Sequence, residues 1–381
     1  MGNAENSGIF PWKGRLTTMK RLIVIFTGGT IGSRKQDEAI NVHGAGSYEL
    51  VNAYEHSTYY RKDVELTALQ PLNLLSENIT PQDWLTLAAA VHSIDQTAYD
   101  GIIITHGSDT LAYSAVLLGY LFAAASIPLV ATASNYPLED KRSNGLRNFA
   151  GAIDFAVEAS LPGVFALYED DRNRQLVYLA TRLMQAASFT DQFSSPYNAA
   201  YGEMLNRRFL PHASPFNPAE DVLRQPAPEK FNWAPATLRL EDRVMYIKPY
   251  PGLNYAQYSF SHTKPQAIIH DLHHSGTACA AMDGPYSLPA FIRKCLEQGI
   301  SVYICPIKDR SAAMYASTRS LLDAGAIVLE GISVEAALVK LMLAYGLYTD
   351  HKAAEAFVTG SSLYYERMEV YNEEDAGNGG E

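Results

Sequence analysis

Residues 101–133 read GIIITHGSDTLAYSAVLLGYLFAAASIPLVATA. GIIIT (101–105) is a short β-branched run closed by a polar turn, HGSDT (106–110). From Leu111 to Ala133 no residue is charged, which is long enough to span a membrane. Pro128 interrupts the run, however, and Tyr113, Ser114, Tyr120 and Ser126 dot it. The stretch therefore reads as a buried helix over about 111–125 followed by a buried parallel strand over about 128–132. Strand, polar turn, buried helix and strand together make one βαβ unit.

The same rhythm continues on both sides. LIVIF (22–26) runs into TGGTIG (27–32), and Glu65–Leu69 is extended. TPQDWLTLAAAVHSI (80–94) has helix-start chemistry: Thr80 caps, Pro81 occupies the first turn and Asp83 complements the N-terminal dipole. GVFALY (163–168) is a further strand. Alternating β and α with continuous apolar strands predicts a larger N-terminal α/β domain built on a doubly wound parallel sheet. In such a sheet the loops after the strand C-ends face the ligand.

Composition breaks after this domain. Between Asn206 and Pro235 stand six prolines, Pro211, Pro215, Pro218, Pro226, Pro228 and Pro235, which reads as a linker. Beyond it RVMYIKPYPG, AIIHDL, VYICPI and AIVLEG are strand-like, while LPAFIRKCLEQG, YASTRSLLDAG and SVEAALVKLMLAYG are helix-like. The expected organisation is an N-terminal extension at 1–18, an N-terminal α/β domain carrying the chemistry at 19–205, a Pro-rich linker at 206–238, a smaller C-terminal α/β domain at 239–371 and a disordered acidic tail at 372–381.

The chain has 381 residues, 47% apolar and 19% charged, enough to bury a sizeable core. Thirty Lys+Arg against forty-one Asp+Glu give a net charge of −11, which argues against a nucleic-acid partner. No secretory signal precedes Arg21, and the sixth residue, Asn rather than Ser or Thr, spoils a myristoylation reading of Gly2. Three sparse cysteines, Cys279, Cys295 and Cys305, without a CxxC pair, read as a reduced, cytoplasmic protein away from membranes.

Two turns carry the chemistry. In TGGTIG the paired glycines permit a tight turn that brings backbone N–H groups close to a ligand, and Thr30 presents a hydroxyl at the strand end. The alternative is a plain βα turn; with no GK[ST] and no GxGxxG it is not a phosphate loop. In HGSDT, Asp109 suits an α-ammonium, and Ser108 with the neighbouring N–H groups suits an α-carboxylate. Here the alternative is that Ser108 or Asp109 merely caps the helix.

TGGTIG after the first strand and THGSDTLAYSA some eighty residues later resemble the L-asparaginase family, closest to its bacterial cytoplasmic type. SENITPQDW (76–84), PLEDKRSNGLRNFAGAI (137–153), FSSPY (193–197), YPGL (250–253) and LLDAGAIVLEGISVEAALVKL (321–341) extend the resemblance over nearly the whole chain after Met19. It implies a two-domain amide hydrolase, a homodimer or homotetramer, acting on a small amino-acid amide without metal or organic cofactor. By position Thr30 is the nucleophile, Ser108 contacts substrate and positions water, and Asp109 binds the substrate ammonium. Ser76, with Glu77 beside it, binds the substrate carboxylate; Gly29, Gly107 and, from the smaller domain, Thr277 complete the implied binding set. His270, His273 and His274 lie at poor ligand spacing for a metal and read as structural or rim residues.

The sequence departs from the family at two places. The family takes base help from a tyrosine about ten residues after the first threonine and from a lysine near the end of the N-terminal domain. Here Ala39 or Ile40 stands at the first position, with Tyr48 the nearest tyrosine. Counting back from FTDQFSSP, Met184 stands at the second. Arg182 is close to it, but a guanidinium does not deprotonate; Lys35, Lys141 or a water are the remaining substitutes. HHSGTA also replaces the family's glycine-asparagine turn, with Thr277 near that asparagine. The expected activity is hydrolysis of asparagine or a related amide through a threonine acyl-enzyme. The alternatives are a specialised amide hydrolase or acyl transferase on a modified amino acid or peptide, and a non-catalytic amino-acid binder.

Overall fold

The computed structural model describes residues 19–29, 31, 33–36, 39–42, 46–225, 231–281, 283–307 and 315–370. The expected extension at 1–18 and tail at 372–381 lie outside the described residues. β1 (Lys20–Phe26) is followed by a short antiparallel hairpin, β2 (Ser33–Gln36) and β3 (Ala39–Val42). Then come α1 (Gly46–Glu55), β4 (Val64–Leu69), α2 (Pro81–His92), β5 (Gly101–Thr105), α3 (Leu111–Leu121), β6 (Pro128–Thr132), α4 (Gly145–Glu158) and β7 (Gly163–Glu169). β1, β4, β5, β6 and β7 pair in parallel; β1, β5, β6 and β7 have continuously apolar, buried centres, while β4 (VELTAL) lies at the sheet edge and is mostly open to solvent.

The uncharged 111–133 stretch resolves into α3 and β6, both buried. α3 stops at Leu121, earlier than the expected 125; the Trp233 indole Nε1 donates to the Leu121 carbonyl at 2.9 Å and closes the helix end. Among the described residues no helix is long and apolar enough to cross a membrane. The Thr80 start is a full capping box: Thr80 accepts from the Asp83 N–H, and the Asp83 carboxylate accepts from the Thr80 N–H at 2.8 Å.

The large sheet is mixed rather than wholly parallel. It has eight strands in the order β12-β11-β8-β7-β6-β5-β1-β4. β8 (Gln175–Leu179), β11 (Gly202–Leu205) and β12 (Arg208–Pro211) extend it beyond β7, each paired antiparallel to the strand before it. Between β8 and β11 projects a second hairpin, β9 (Met184–Ala187) and β10 (Gln192–Ser194). The Pro-rich stretch from Asn206 thus begins as an edge strand, not a linker. Asn206 and Arg207 both take positive φ, 50° and 64°, the two-residue turn that suits a twisted hairpin. Pro211 ends the strand at the sheet edge, where a missing N–H costs nothing. α5 (Glu220–Arg224) follows, and Trp233 packs on His92 and Phe122.

The smaller sheet has four parallel strands in the order β13 (Val244–Ile247), β14 (Ala267–Asp271), β15 (Ser301–Ile307) and β16 (Ile327–Glu330), with α6 (Leu288–Glu297) and α7 (Ala316–Asp323) in the crossovers. α8 (Val334–Leu347) packs on α3 and against this sheet, and α9 (His351–Thr359) closes on α8. The Tyr120 hydroxyl donates to the Ala336 carbonyl at 2.9 Å, joining α3 to α8. One apolar cluster runs from β1 through α3 and α8 into β14 and β15, so the two units share a core.

The strand order reverses at one place. β4 lies on one side of β1, and the later strands β5, β6 and β7 lie on the other. The chain leaves β1 toward β4 and β5 toward β6, in opposite directions along the sheet, and α/β sheets bind ligands in the crevice at such a reversal.

Candidate active site

The two Gly-containing turns meet at that crevice. Gly28 and Gly29 take positive φ, 100° and 78°. The turn is pinned to the segment ahead of Ser76: the Gly29 N–H donates to the Leu74 carbonyl at 3.0 Å, and the Leu74 N–H donates to the Thr27 carbonyl at 3.1 Å. The Thr27 hydroxyl donates to the Thr105 carbonyl at 3.0 Å, tying the first turn to the end of β5. A Cβ on Gly29 would lie 2.4 Å from Gly107 N, and one on Gly107 would lie 2.3 Å from Ser76 Oγ. Three sequence-distant segments therefore touch backbone to backbone at a point where side chains do not fit.

Around this crossing, Ser76 is buried and its Oγ stands 3.4 Å from Asp109 Oδ2. The Thr110 hydroxyl donates to the Ser76 carbonyl at 2.9 Å, so the Asp109 loop and the Ser76 segment are braced twice. Asp109 is exposed and Ser108 half-buried. Glu77, in a single helical turn over Ser76–Asn78, is exposed. A carboxylate open to solvent beside a buried hydroxyl and clustered backbone groups can hold a zwitterion. Thr30 lies outside the described residues.

Thr277 stands in a turn after β14, with its hydroxyl 3.1 Å from Ser275 Oγ and its backbone bridged to His273. Of the nearby histidines, His270 is buried, with Nε2 2.8 Å from the Tyr255 hydroxyl and Nδ1 2.6 Å from the Asp271 carbonyl. Burial pushes its pKa down to about 4. His273 and His274 are exposed. The cysteines are free, Cys279 exposed and Cys295 and Cys305 buried.

The side chain that reaches the second turn from β9 is Gln185, not Met184: Gln185 Nε2 donates to the Asp109 carbonyl. The β9–β10 register shifts between Gln192 and Ser194, where Ser194 pairs with Met184 rather than one residue later. Met184, the residue expected at the lysine position, is the strand neighbour of Gln185, and successive side chains of a strand point to opposite faces. Arg182 is buried and spends its guanidinium on the carbonyls of Tyr365, Phe216 and Arg367, tying down the C-terminal segment. Lys141 is exposed in the loop after β6. Lys35 falls in β2 and Tyr48 in α1.

Two further groups at the site were not legible from sequence. His106 is buried, its Nδ1 2.9 Å from the Gly107 carbonyl, and burial lowers its pKa, so the ring is neutral and buttresses the turn. Glu335, in the first turn of α8, accepts the Gln185 backbone N–H at 2.8 Å.

The family model "Asparaginase, N-terminal" matches residues 21–214. Over 338 residues the chain is 27% identical to the L-asparaginase of Thermococcus kodakarensis, covering 86% of this chain and 93% of that protein. It is 26% identical over 331 residues to a glutamyl-tRNA(Gln) amidotransferase component of Saccharolobus solfataricus, covering 84% of this chain and 70% of the relative. In three dimensions the thermostable L-asparaginase from Thermococcus kodakarensis superposes with a TM-score of 0.73 at 24% identity, over 92% of this chain and all of the other. L-asparaginase I from Vibrio cholerae superposes with a TM-score of 0.70 at 24% identity, over 91% and 98%.

Proposed function

The chain belongs to the asparaginase family, and from that premise we propose that it hydrolyses the side-chain amide of asparagine or a close amino-acid amide. The observation that carries this reading is the meeting of Gly29, Gly107, Ser76 and Asp109 at the strand-order reversal. Asp109 pairs with the substrate ammonium, Ser76 with Glu77 alongside takes the carboxylate end, and Thr30 is the nucleophile that the family resemblance implies. An amide is a poor electrophile, so attack by a hydroxyl to form an acyl-enzyme, then by water, replaces one high barrier with two lower ones. Ser108 beside Asp109 orders that water. Thr277 contributes from the smaller unit.

The test is ammonia release from asparagine, glutamine and derivatised ω-amides by the full chain, with Thr30→Ala alongside. Turnover that vanishes in Thr30→Ala supports the reading; no release from any amide overturns it.

A second reading is favoured by the absence of the family's lysine: Met184 stands at its expected position, and its neighbour Gln185 is the residue that reaches the Asp109 turn. A neutral amide has no basic nitrogen, so the base for Thr30 has to come from elsewhere, and loss of a positioned base costs on the order of 10²–10⁴ in rate. On this reading the enzyme is a specialised hydrolase or acyl transferase whose substrate, a modified amino-acid amide, brings its own assistance. Hydroxylamine trapping of the acyl-enzyme separates the two: trapping with plain asparagine alone excludes it. The free cysteines fit a reducing, cytoplasmic setting, and the proposed assembly is a homodimer or homotetramer, checked by light scattering.

A further inference from the structure

The loop that carries Asp109 is held by residues distant in sequence, through β9 from α8. Gln185 Nε2 donates to the Asp109 carbonyl, and the Gln185 backbone N–H donates to Glu335 Oε1 at 2.8 Å. Glu335 belongs to α8, which starts at the Ser333 cap beyond the Pro-rich stretch, and it is only 8% exposed. Its second oxygen, Oε2, is buried without a partner, and so is Gln185 Oε1. Leaving a buried carboxylate half-satisfied is unfavourable for folding. The neighbouring Asp271 carboxylate adds to that cost, and burial with this charge raises the Glu335 pKa. An apolar residue would fill α8 at lower cost but could not grip β9.

What β9 delivers is equally specific. The Gln185 amide does not tie down the core; it holds the main-chain carbonyl of the residue whose carboxylate faces solvent beside Ser76. The Ser76–Asp109 contact, at 3.4 Å, is at the long end of hydrogen bonding. A shift of a few tenths of an ångström in the loop therefore makes or breaks it. Gln185 carries no charge, so it fixes the loop without competing with a substrate ammonium for the Asp109 carboxylate.

We infer that Glu335 and Gln185 are positioning residues: a strut from the small domain that sets the Asp109 carboxylate for the substrate ammonium. This rests on the amino-acid reading of the site given above. The strut makes ammonium recognition depend on how α8 sits against β9, and it leaves the carboxylate end of the substrate to Ser76.

The test compares L-aspartate with succinate, the same dicarboxylate without the ammonium, by titration calorimetry on the full chain. Wild type prefers aspartate. Glu335→Ala and Gln185→Ala reduce that preference by about 10-fold, the scale of one charge-assisted contact. Glu335→Gln keeps it, because its amide oxygen still accepts the Gln185 N–H. A general loosening of the fold weakens both ligands together and leaves their ratio unchanged. An unchanged ratio in both alanine variants overturns the inference, as does a Glu335→Gln protein with the same loss as Glu335→Ala. A wild-type protein with no preference for aspartate overturns the amino-acid reading of the site, and this inference with it.

Discussion

Gly29 and Gly107 touch main chain to main chain at the ends of adjacent strands: a Cβ on Gly29 would lie 2.5 Å from Gly107 Cα and 2.9 Å from the His106 carbonyl carbon. The crevice owes its shape to the absence of two methyl groups. Gly107→Ala places a methyl 2.5 Å from Ser76 Cβ, and the Ser76 segment, pinned by Leu74 and Thr110, has no room to retreat. Overpacking of this kind costs about 1–3 kcal/mol. The expected outcome is a folded protein with a lowered denaturation midpoint and no measurable aspartate binding. Urea unfolding and calorimetry on one preparation check both halves.

Asp109 and Ser76 should separate kinetically. Asp109→Ala removes the partner of the substrate ammonium while Thr30 stays intact, so KM rises by roughly 10–100-fold and kcat changes less, the signature of lost uniform binding. Ser76→Ala removes a buried hydroxyl that meets the Asp109 carboxylate. Its KM rises too, but its aspartate-over-succinate preference survives, because the ammonium partner is still present. Steady-state ammonia release with both ligands as competitive inhibitors makes the comparison.

Most of the parallel core was legible because its strands are continuous apolar runs with turn residues at their ends, as in GIIIT followed by HGSDT. The helix start at Thr80 was legible because it is encoded locally, although the reciprocal bond from Thr80 N–H to Asp83 that makes it a capping box was not read. What sequence did not reveal depends on three-dimensional register. The Arg208–Pro211 strand hides among prolines, since nothing local in Asn206-Arg207 signals a hairpin as Asn-Gly would. Gln185 was missed because it stands next to Met184, and which of two neighbours faces the Asp109 turn depends on how β9 is oriented in the fold. Glu335 looks like an ordinary acidic residue in a first helical turn, where the helix dipole alone accounts for it; only the fold brings β9 to it.

His270 gives the protein an acid-sensitive point away from the candidate site. The buried ring has its pKa lowered from 6.5 to about 4 by desolvation. Between those values the unfolded chain holds a proton that the folded chain excludes, so stability is full above about 6.5 and falls as pH drops toward about 4, by up to about 1.4 kcal/mol per pH unit. His270→Gln loses contacts to Tyr255 and is less stable at neutral pH, yet its stability declines less steeply across that window. Urea midpoints from pH 7 to pH 4 measure the two slopes, and parallel slopes would show that His270 is not the group that titrates.

The buried pair Lys340–Glu366 locks the segment after α9 onto α8. Its nitrogen–oxygen separation is 2.8 Å and neither side chain is exposed. Desolvation lowers the Lys340 pKa, and the Glu366 carboxylate opposes that shift. Glu366 also accepts the N–H groups of Leu363 and Tyr364, and the Tyr364 hydroxyl in turn accepts the Val164 N–H at 3.0 Å, reaching back to β7. Lys340→Met strands a carboxylate in the core and is expected to cost about 3–5 kcal/mol. Adding Glu366→Gln removes the stranded charge while its amide oxygen still accepts from Leu363 and Tyr364, so the double variant recovers much of the loss. Glu366→Ala on the same background leaves both N–H groups unsatisfied and recovers less. The interaction energy from the complete double-mutant cycle, by urea denaturation at pH 7, is therefore favourable and well above the scatter of about 0.3–0.5 kcal/mol seen for independent sites; a cycle that closes to zero would mean the segment is held by packing alone.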